Sequence, residues 1–339
     1  MRVAVLDVGS NSAHLKVVEL LAGEPPLPVR TVKCPTRLAE SIDARGAIGP
    51  EAVNRLAEAV AETAAAARAH EVDKLIPFAT SAIRDAVNRD EIVTRVQAVS
   101  GLRLGFITGV DEARLTFLAA RRWYGWSAGH LLLLDIGGGS LEIATGDGSQ
   151  PRVALSVPLG AGRLTRQHLP GDPPRAGHVR RLRRYLRDVL PEIVAELGDQ
   201  PSPQRAVATS KTFSQLARLT GEPKAKAGNQ ADPRLKLSRL RKWSQRLAKL
   251  EDADRARLRG ISKSRAHQIL AGAIVAETAM DLLGLEHVHI CPWALREGIL
   301  LRELDALGGE EGHRRDPAVR RPRRPAGRSN GSMINQTMV

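Results

Sequence analysis

Asp7 and Asp135 each stand at the end of an apolar run and just ahead of a glycine turn, in VAVLDVGSNS (3–12) and LLLLDIGGGS (131–140). A Gly-rich bend between two strands lets several backbone N–H groups point into one concavity, which suits phosphate oxygens. Gly9, Gly137, Gly138 and Gly139 permit the bend and the close approach of an anion, while Ser10, Asn11, Ser12 and Ser140 add side-chain donors. The aspartates gain nothing by touching phosphate, since like charges repel. They can hold a magnesium ion or its waters, and the ion then bridges to phosphate. A lone GGGS also reads as a hairpin turn. Its pairing with a similar turn 128 residues earlier favours the phosphate reading.

A second pair of segments repeats at nearly the same offset. Ala79-Thr80-Ser81 matches Ala208-Thr209-Ser210, 129 residues on. Ser81 to Asp85 follows an apolar run and opens a helix, where anions are favoured, and Arg84 adds a bidentate phosphate donor. Ser210 and Lys211 occupy the equivalent place in the second half. In GVDEARL (109–115) adjacent acids begin a helix. They either complement the helix macrodipole or supply a general base that takes a proton from water, and the residues alone leave both open. Glu142 follows Ser140 by two and shares its strand face, as a second acid in a cleft or as an exposed strand residue. The glycines run into Leu-Glu-Ile-Ala, more strand than helix, so a dinucleotide fingerprint fails, and no GxxxxGK[ST] loop is present.

These turns need elements to hold them. The chain has 339 residues, enough for two domains. VAVLDVG reads as a buried strand, AHLKVVEL as its partner and LIPFAT as a third strand. Residues 51–70, 85–100 and 111–122 read as helices. LLLLDI and LEIATG repeat the first strand pair. Basic helices are expected at 176–197 and 234–259, an apolar helix at 264–283 and a short strand at HVHIC. The duplication predicts two lobes of one topology, 1–125 and 126–306, facing each other across a cleft. Residues 307–339 form a basic tail without periodicity, expected to be disordered.

The net charge is +14, and eight arginines stand against one acid between Arg163 and Arg187. Such an excess points to a polyanionic partner. No RNA-binding aromatic motif or zinc finger accompanies it, so a specific nucleic acid is not expected. Two cysteines without CxxC spacing argue against a disulfide framework or zinc site and fit a reducing cytoplasm. No run reaches the roughly 18 apolar residues that span a membrane, and Asp7 interrupts any leader-like stretch, so no membrane partner is expected.

At DVGSNS (7–12), FATSAIRDA (78–86), GVDEARL (109–115), LDIGGGSLE (134–142), VPLGAGRL (157–164), GISKSRA (260–266) and ALREGIL (294–300), the chain resembles the exopolyphosphatase and guanosine pentaphosphate phosphohydrolase family. Within that family it looks like the short actinobacterial exopolyphosphatases. The resemblance implies an α/β fold of two duplicated ribonuclease-H-like lobes, of the actin, Hsp70 and sugar-kinase superfold, with the last helix packing back on the first lobe. It implies hydrolysis of inorganic polyphosphate from its end, in the cytoplasm, by a homodimer using Mg²⁺, with Mn²⁺ as a second candidate. By the same resemblance Glu112 is the water-activating base and Arg84 grips the reacting phosphate. Asp135 and Glu142, with Asp7, are the metal and catalytic-water acids. The two glycine turns are its phosphate loops, and Ser81, Ser210, Lys211 and Arg265 are further candidate phosphate-binding residues, Lys211 placing charge where the family's loop is richer in glycine. Guanosine pentaphosphate is the alternative substrate, and guanosine tetraphosphate a further ligand. The SKTF loop lacks the glycines of an adenosine pocket, which argues against a kinase, and Arg265-Ala266-His267 departs from the family's Arg-Ala-Asp. A non-catalytic polyanion-binding module is the remaining alternative.

Overall fold

Strand β1 (Arg2–Val8) divides its side chains between two cores, as a period of two requires. Ala4, Leu6 and Val8 join one apolar cluster, and Val3 and Val5 join another on the opposite face. The computed structural model describes every residue except 22–23, 27, 39–40, 44, 224–231 and 309–339. From β1 the chain continues through β2 (Ser12–Glu19), β3 (Pro28–Pro35), α1 (Pro50–Ala69), β4 (Lys74–Ala79), α2 (Ser81–Arg84), α3 (Arg89–Ser100), β5 (Gly105–Phe106) and α4 (Gly109–Tyr124). The second half runs β6 (Leu131–Ile136), β7 (Leu141–Gly146), β8 (Val153–Val157), α5 (Ala161–His168), α6 (Ala176–Ala195), β9 (Arg205–Ala208) and α7 (Ser210–Leu219). It ends with β10 (Arg234–Lys236), α8 (Leu237–Leu247), α9 (Asp252–Arg257), α10 (Ile269–Leu282), β11 (His287–Ile290) and α11 (Leu295–Gly308).

The duplication is visible in the sheets. The first has the order β3-β2-β1-β4-β5, and the second β8-β7-β6-β9-β11 with β10 added at its edge. In each, an antiparallel meander meets parallel strands at its first member, so β1 pairs with β4 as β6 pairs with β9. The copies are not in identical register. Thr80 N donates to the carbonyl of Val8, whereas Thr209 N donates to that of Leu134, two residues nearer the strand start than the counterpart of Val8. A slide of two keeps every side chain on its face. It also brings Thr209 beside Asp135.

Helices α4 and α11 join the lobes. Ala113 and Phe117 of α4 pack with Leu131, Leu133 and Val207 of the second sheet, while Leu115 packs with Val3 and Val5 of the first. Leu295, Ile299 and Leu300 of α11 lie in that same cluster against the first sheet. At about 1.5–3 kcal/mol per fully buried aliphatic side chain, this shared layer keeps the two lobes joined.

Three expectations change. The helix expected over 85–100 breaks, because Asn88 turns its amide to Ile48, accepting from its N–H and donating to its carbonyl, both at 2.9 Å. The helix expected over 234–259 is a strand and two helices: Leu235 alternates into the core beside β11, and the chain turns again before α9. The apolar helix starts at Ile269 rather than 264, because Lys263–Arg265 forms a 3₁₀ turn. Leu307 and Gly308 close α11, and the expected tail from 309 lies outside the described residues. Among the described residues no helix is long and apolar enough to cross a membrane.

Candidate active site

The two glycine turns meet. A Cβ placed on Gly138 would overlap Ser10 Oγ, and one on Gly139 would overlap Ser81 Oγ, so both approaches require glycine. The turn after β1, the start of α2 and the turn after β6 therefore form one surface. Among the described residues the N–H groups of Ser10, Asn11, Gly138 and Gly139 donate to no protein acceptor. Unpaired donors converging in this way suit an anion. Gly9 N and Gly137 N are instead used to close their own turns, on the carbonyls of Ser12 at 3.1 Å and Ser140 at 2.9 Å. Asn11 Nδ2 donates to Ser10 Oγ at 3.1 Å, holding that hydroxyl in the cleft. Ser12 lies at the start of β2, and its carbonyl closes the turn by accepting from Gly9 N.

Glu112, Glu142, Asp135 and Asp7 are close enough to perturb one another. Burial raises the Glu142 carboxyl to about 8, with Asp135 adding repulsion and Ser140, Ser156 and Arg84 opposing. Burial also raises Asp135 to about 6, against the Thr209 hydrogen bond and the Arg265 charge. Glu112 is pushed well above the ordinary carboxylate range, first by burial and then by Glu142, Asp135 and Asp7. Asp7 is raised by burial, with Arg296 working against it. Glu112 Oε2 is buried, accepts no hydrogen bond and lies 3.7 Å from Nη1 of Arg84. Arg84, Arg265 and Arg296 offset part of this negative charge, and a divalent cation fits the rest: the donors are hard oxygens, and one is unpaired. No three His, Cys, Asp or Glu side chains among the described residues form a ready cage. Water and phosphate oxygens would complete the shell of a cation held there.

Each acid has a local reason for its position. Thr108 Oγ1 caps α4 by accepting from Asp111 N at 3.1 Å, which sets Glu112 in the first turn facing the cleft acids. Glu142 pairs in register with Ser156 of β8, whose hydroxyl donates to Glu142 Oε1 at 2.9 Å. Asp135 accepts a short hydrogen bond from Thr209 Oγ1. Asp7 Oδ2 faces Arg296 Nη1 at 3.7 Å, and Arg296 also pairs with His14. Arg265 lies near Asp135 and Asp7, and burial lowers it to about 10. Ser210 adopts φ 70°, a left-handed conformation rare for a residue with a side chain and most often retained at functional turns. Lys211 is exposed on the first turn of α7.

Local sequence reasoning missed Thr209 as a partner of Asp135, and it missed Ser156, Arg163 and Arg296. Thr209, Arg163 and Arg296 lie in segments already singled out, without a sign of their partners, whereas Ser156 carried a local signal of its partner: the turn at Asp147-Gly148-Ser149 between two apolar runs marks a β7–β8 hairpin, and its register opposes Ser156 to Glu142. Arg163 sits in α5, where its Nε donates to the carbonyl of Gly139 at 3.0 Å.

A model of the Ppx/GppA phosphatase family matches residues 17–307. The chain is 49% identical over 306 residues to exopolyphosphatase 1 of Mycobacterium leprae, covering 90% of each protein. It is 31% identical to exopolyphosphatase 2 of Mycobacterium tuberculosis, covering 88% of this chain and 98% of that protein. Among solved structures it resembles the Ppx/GppA family member from Aquifex aeolicus, with a TM-score of 0.73 at 26% identity over 90% of this chain and 97% of that one. An exopolyphosphatase from Cytophaga hutchinsonii shares the fold, with a TM-score of 0.80 at 23% identity over 90% and 98% of the two chains. With its two duplicated sheets, its facing glycine turns and a family match over most of its length, the chain belongs to the Ppx/GppA phosphatase family.

Proposed function

We propose that this protein is an exopolyphosphatase that releases terminal orthophosphate from inorganic polyphosphate. The observation that carries the proposal is the junction of two donor-rich glycine turns beside a partly buried cluster of four carboxylates. The names of the relatives, including the one at 49% identity, support the substrate. The terminal phosphate sits between the turns, held by the N–H groups of Ser10, Asn11, Gly138 and Gly139 and by the hydroxyls of Ser12, Ser81, Ser140 and Ser210. Asp135 and Asp7, with Glu142, would hold Mg²⁺ (or Mn²⁺), which supplies charge neutralisation to the phosphoryl oxygens. Glu112 accepts a proton from the attacking water. Arg84 stabilises charge on the transferring group, in a reaction dominated by positioning and electrostatics. Arg265 and Lys211 add positive charge for phosphate, and the basic face of α6 draws in the rest of the polyanion. A cytoplasmic homodimer completes the proposal.

Phosphate release from short polyphosphate, long polyphosphate and guanosine pentaphosphate, each with Mg²⁺, tests it. Polyphosphate is the expected preferred substrate. A clear preference for the nucleotide overturns the choice, and transfer of phosphate to an acceptor other than water overturns the reaction class.

A further inference from the structure

We infer that Asp85 and Arg163 form a latch across the cleft that positions Arg84, an inference that rests on the role given to Arg84 above. Arg84 ends α2 in the first lobe. Its Nε donates to Asp85 Oδ1 at 3.0 Å and its Nη1 to the carbonyl of Ile107 at 2.9 Å. Those two bonds fix the plane of the guanidinium. Nη2 makes no hydrogen bond to the described protein residues and is left for the transferring phosphate.

The other oxygen of Asp85 belongs to the second lobe's partner. Arg163 Nη2 donates to Asp85 Oδ2 at 2.8 Å, while its Nε donates to the carbonyl of Gly139 and its backbone N to that of Gly138, at 3.0 and 2.9 Å. An unbroken chain of hydrogen bonds thus links the phosphate turn of one lobe to the catalytic arginine of the other: Gly139, Arg163, Asp85, Arg84. Asp85 and Arg163 also border a small cavity with Ser10, Ser81 and Gly138, so the latch forms part of the cleft wall.

The latch is built for geometry rather than stability. Asp85 is 37% exposed and Arg163 25% exposed, a setting in which ion pairs stabilise a fold little. Its geometry holds only while the lobes are together. If they part, Asp85 loses Arg163, its carboxylate is free to turn, and Arg84 loses one of its two fixed bonds. Closure of the cleft and alignment of Arg84 are therefore one event, as in hinge closures that complete a catalytic set.

Asp85→Asn and Arg163→Met test the latch, each alone, together, and in an Arg84→Ala background. A misplacement of the arginine by about 1 Å predicts a fall in kcat of roughly 10- to 100-fold with KM little changed. The double variant should be no worse than the poorer single one, because both break one chain. In the Arg84→Ala background, Asp85→Asn should cause no further loss. Wild-type kcat in Asp85→Asn, or an equal loss in both backgrounds, overturns the proposal, since a merely structural role would act without Arg84. Spin labels at Glu58→Cys and Arg187→Cys report lobe separation without activity. Their distance distribution should broaden in the double variant, and an unchanged distribution also overturns the latch. If Arg84→Ala alone keeps wild-type turnover, the reading of Arg84 fails, and the spin-label distances still decide whether the latch holds the lobes.

Discussion

Replacing Glu142 by Gln should stabilise the metal-free protein while removing its activity. In the folded chain this carboxyl is raised from 4.5 to about 8, chiefly by burial and then by Asp135. Between those values the folded state keeps a proton that the unfolded state has lost. Its contribution to stability is therefore present at the acid end and is lost as pH rises toward 8. Relative to a side chain that never ionises, the cost of Glu142 is under about 1 kcal/mol at pH 5 and about 3 kcal/mol at pH 7. Glutamine keeps the shape, and its carbonyl still accepts from Ser156 Oγ. The gain of Glu142→Gln over wild type should thus be small at pH 5 and reach about 3 kcal/mol at pH 7, several degrees in Tm. Thermal or denaturant unfolding in a chelator, at pH 5, 6, 7 and 8, measures it. Adding Mg²⁺ should raise the wild type more than the variant, because the cation binds the ionised cluster of the folded state. Phosphate release by the variant should fall by at least about 100-fold. A stability difference that is flat with pH, or that grows toward acid, would refute the assignment of Glu142 as a buried acid waiting for a cation.

Glu112→Gln should fold normally and bind polyphosphate, yet lose at least about 100-fold in turnover; near-normal steady-state release removes Glu112 as the base. Gly160→Ala drives a Cβ into the backbone of Gly139 and Ser140, so it should cost about 1–3 kcal/mol and distort the phosphate turn, read as a lower Tm with a raised KM. KM for polyphosphate should rise steeply between low and high salt, because the arginines that guide the chain are largely exposed on α6. A KM insensitive to salt would discard that electrostatic role.

The strands and turns of the site were legible because their signals are local. An apolar run ending in Asp-aliphatic-Gly specifies a buried strand and a bend wherever it occurs, and its recurrence 128 residues later shows that the chain holds two such units. That β10 is a strand was not legible: Arg234–Lys236 is too short and too basic to read as one and pairs only because β11 offers a free edge. The break at Asn88 depends on Ile48, 40 residues away in the chain.

By itself the sequence determined the two bends, the acids beside them and the order in which they occur, since each follows from neighbouring residues and a period of two. Only the tertiary structure decided which side chains meet. Asp85 reaches Arg163 across 78 residues, and Thr209 reaches Asp135 across 74 because its strand is slid by two. Such contacts are set by how α4 and α11 pack between the sheets. No periodicity or turn propensity encodes them, because burial of the shared apolar layer, summed over many side chains, decides which faces of the lobes meet.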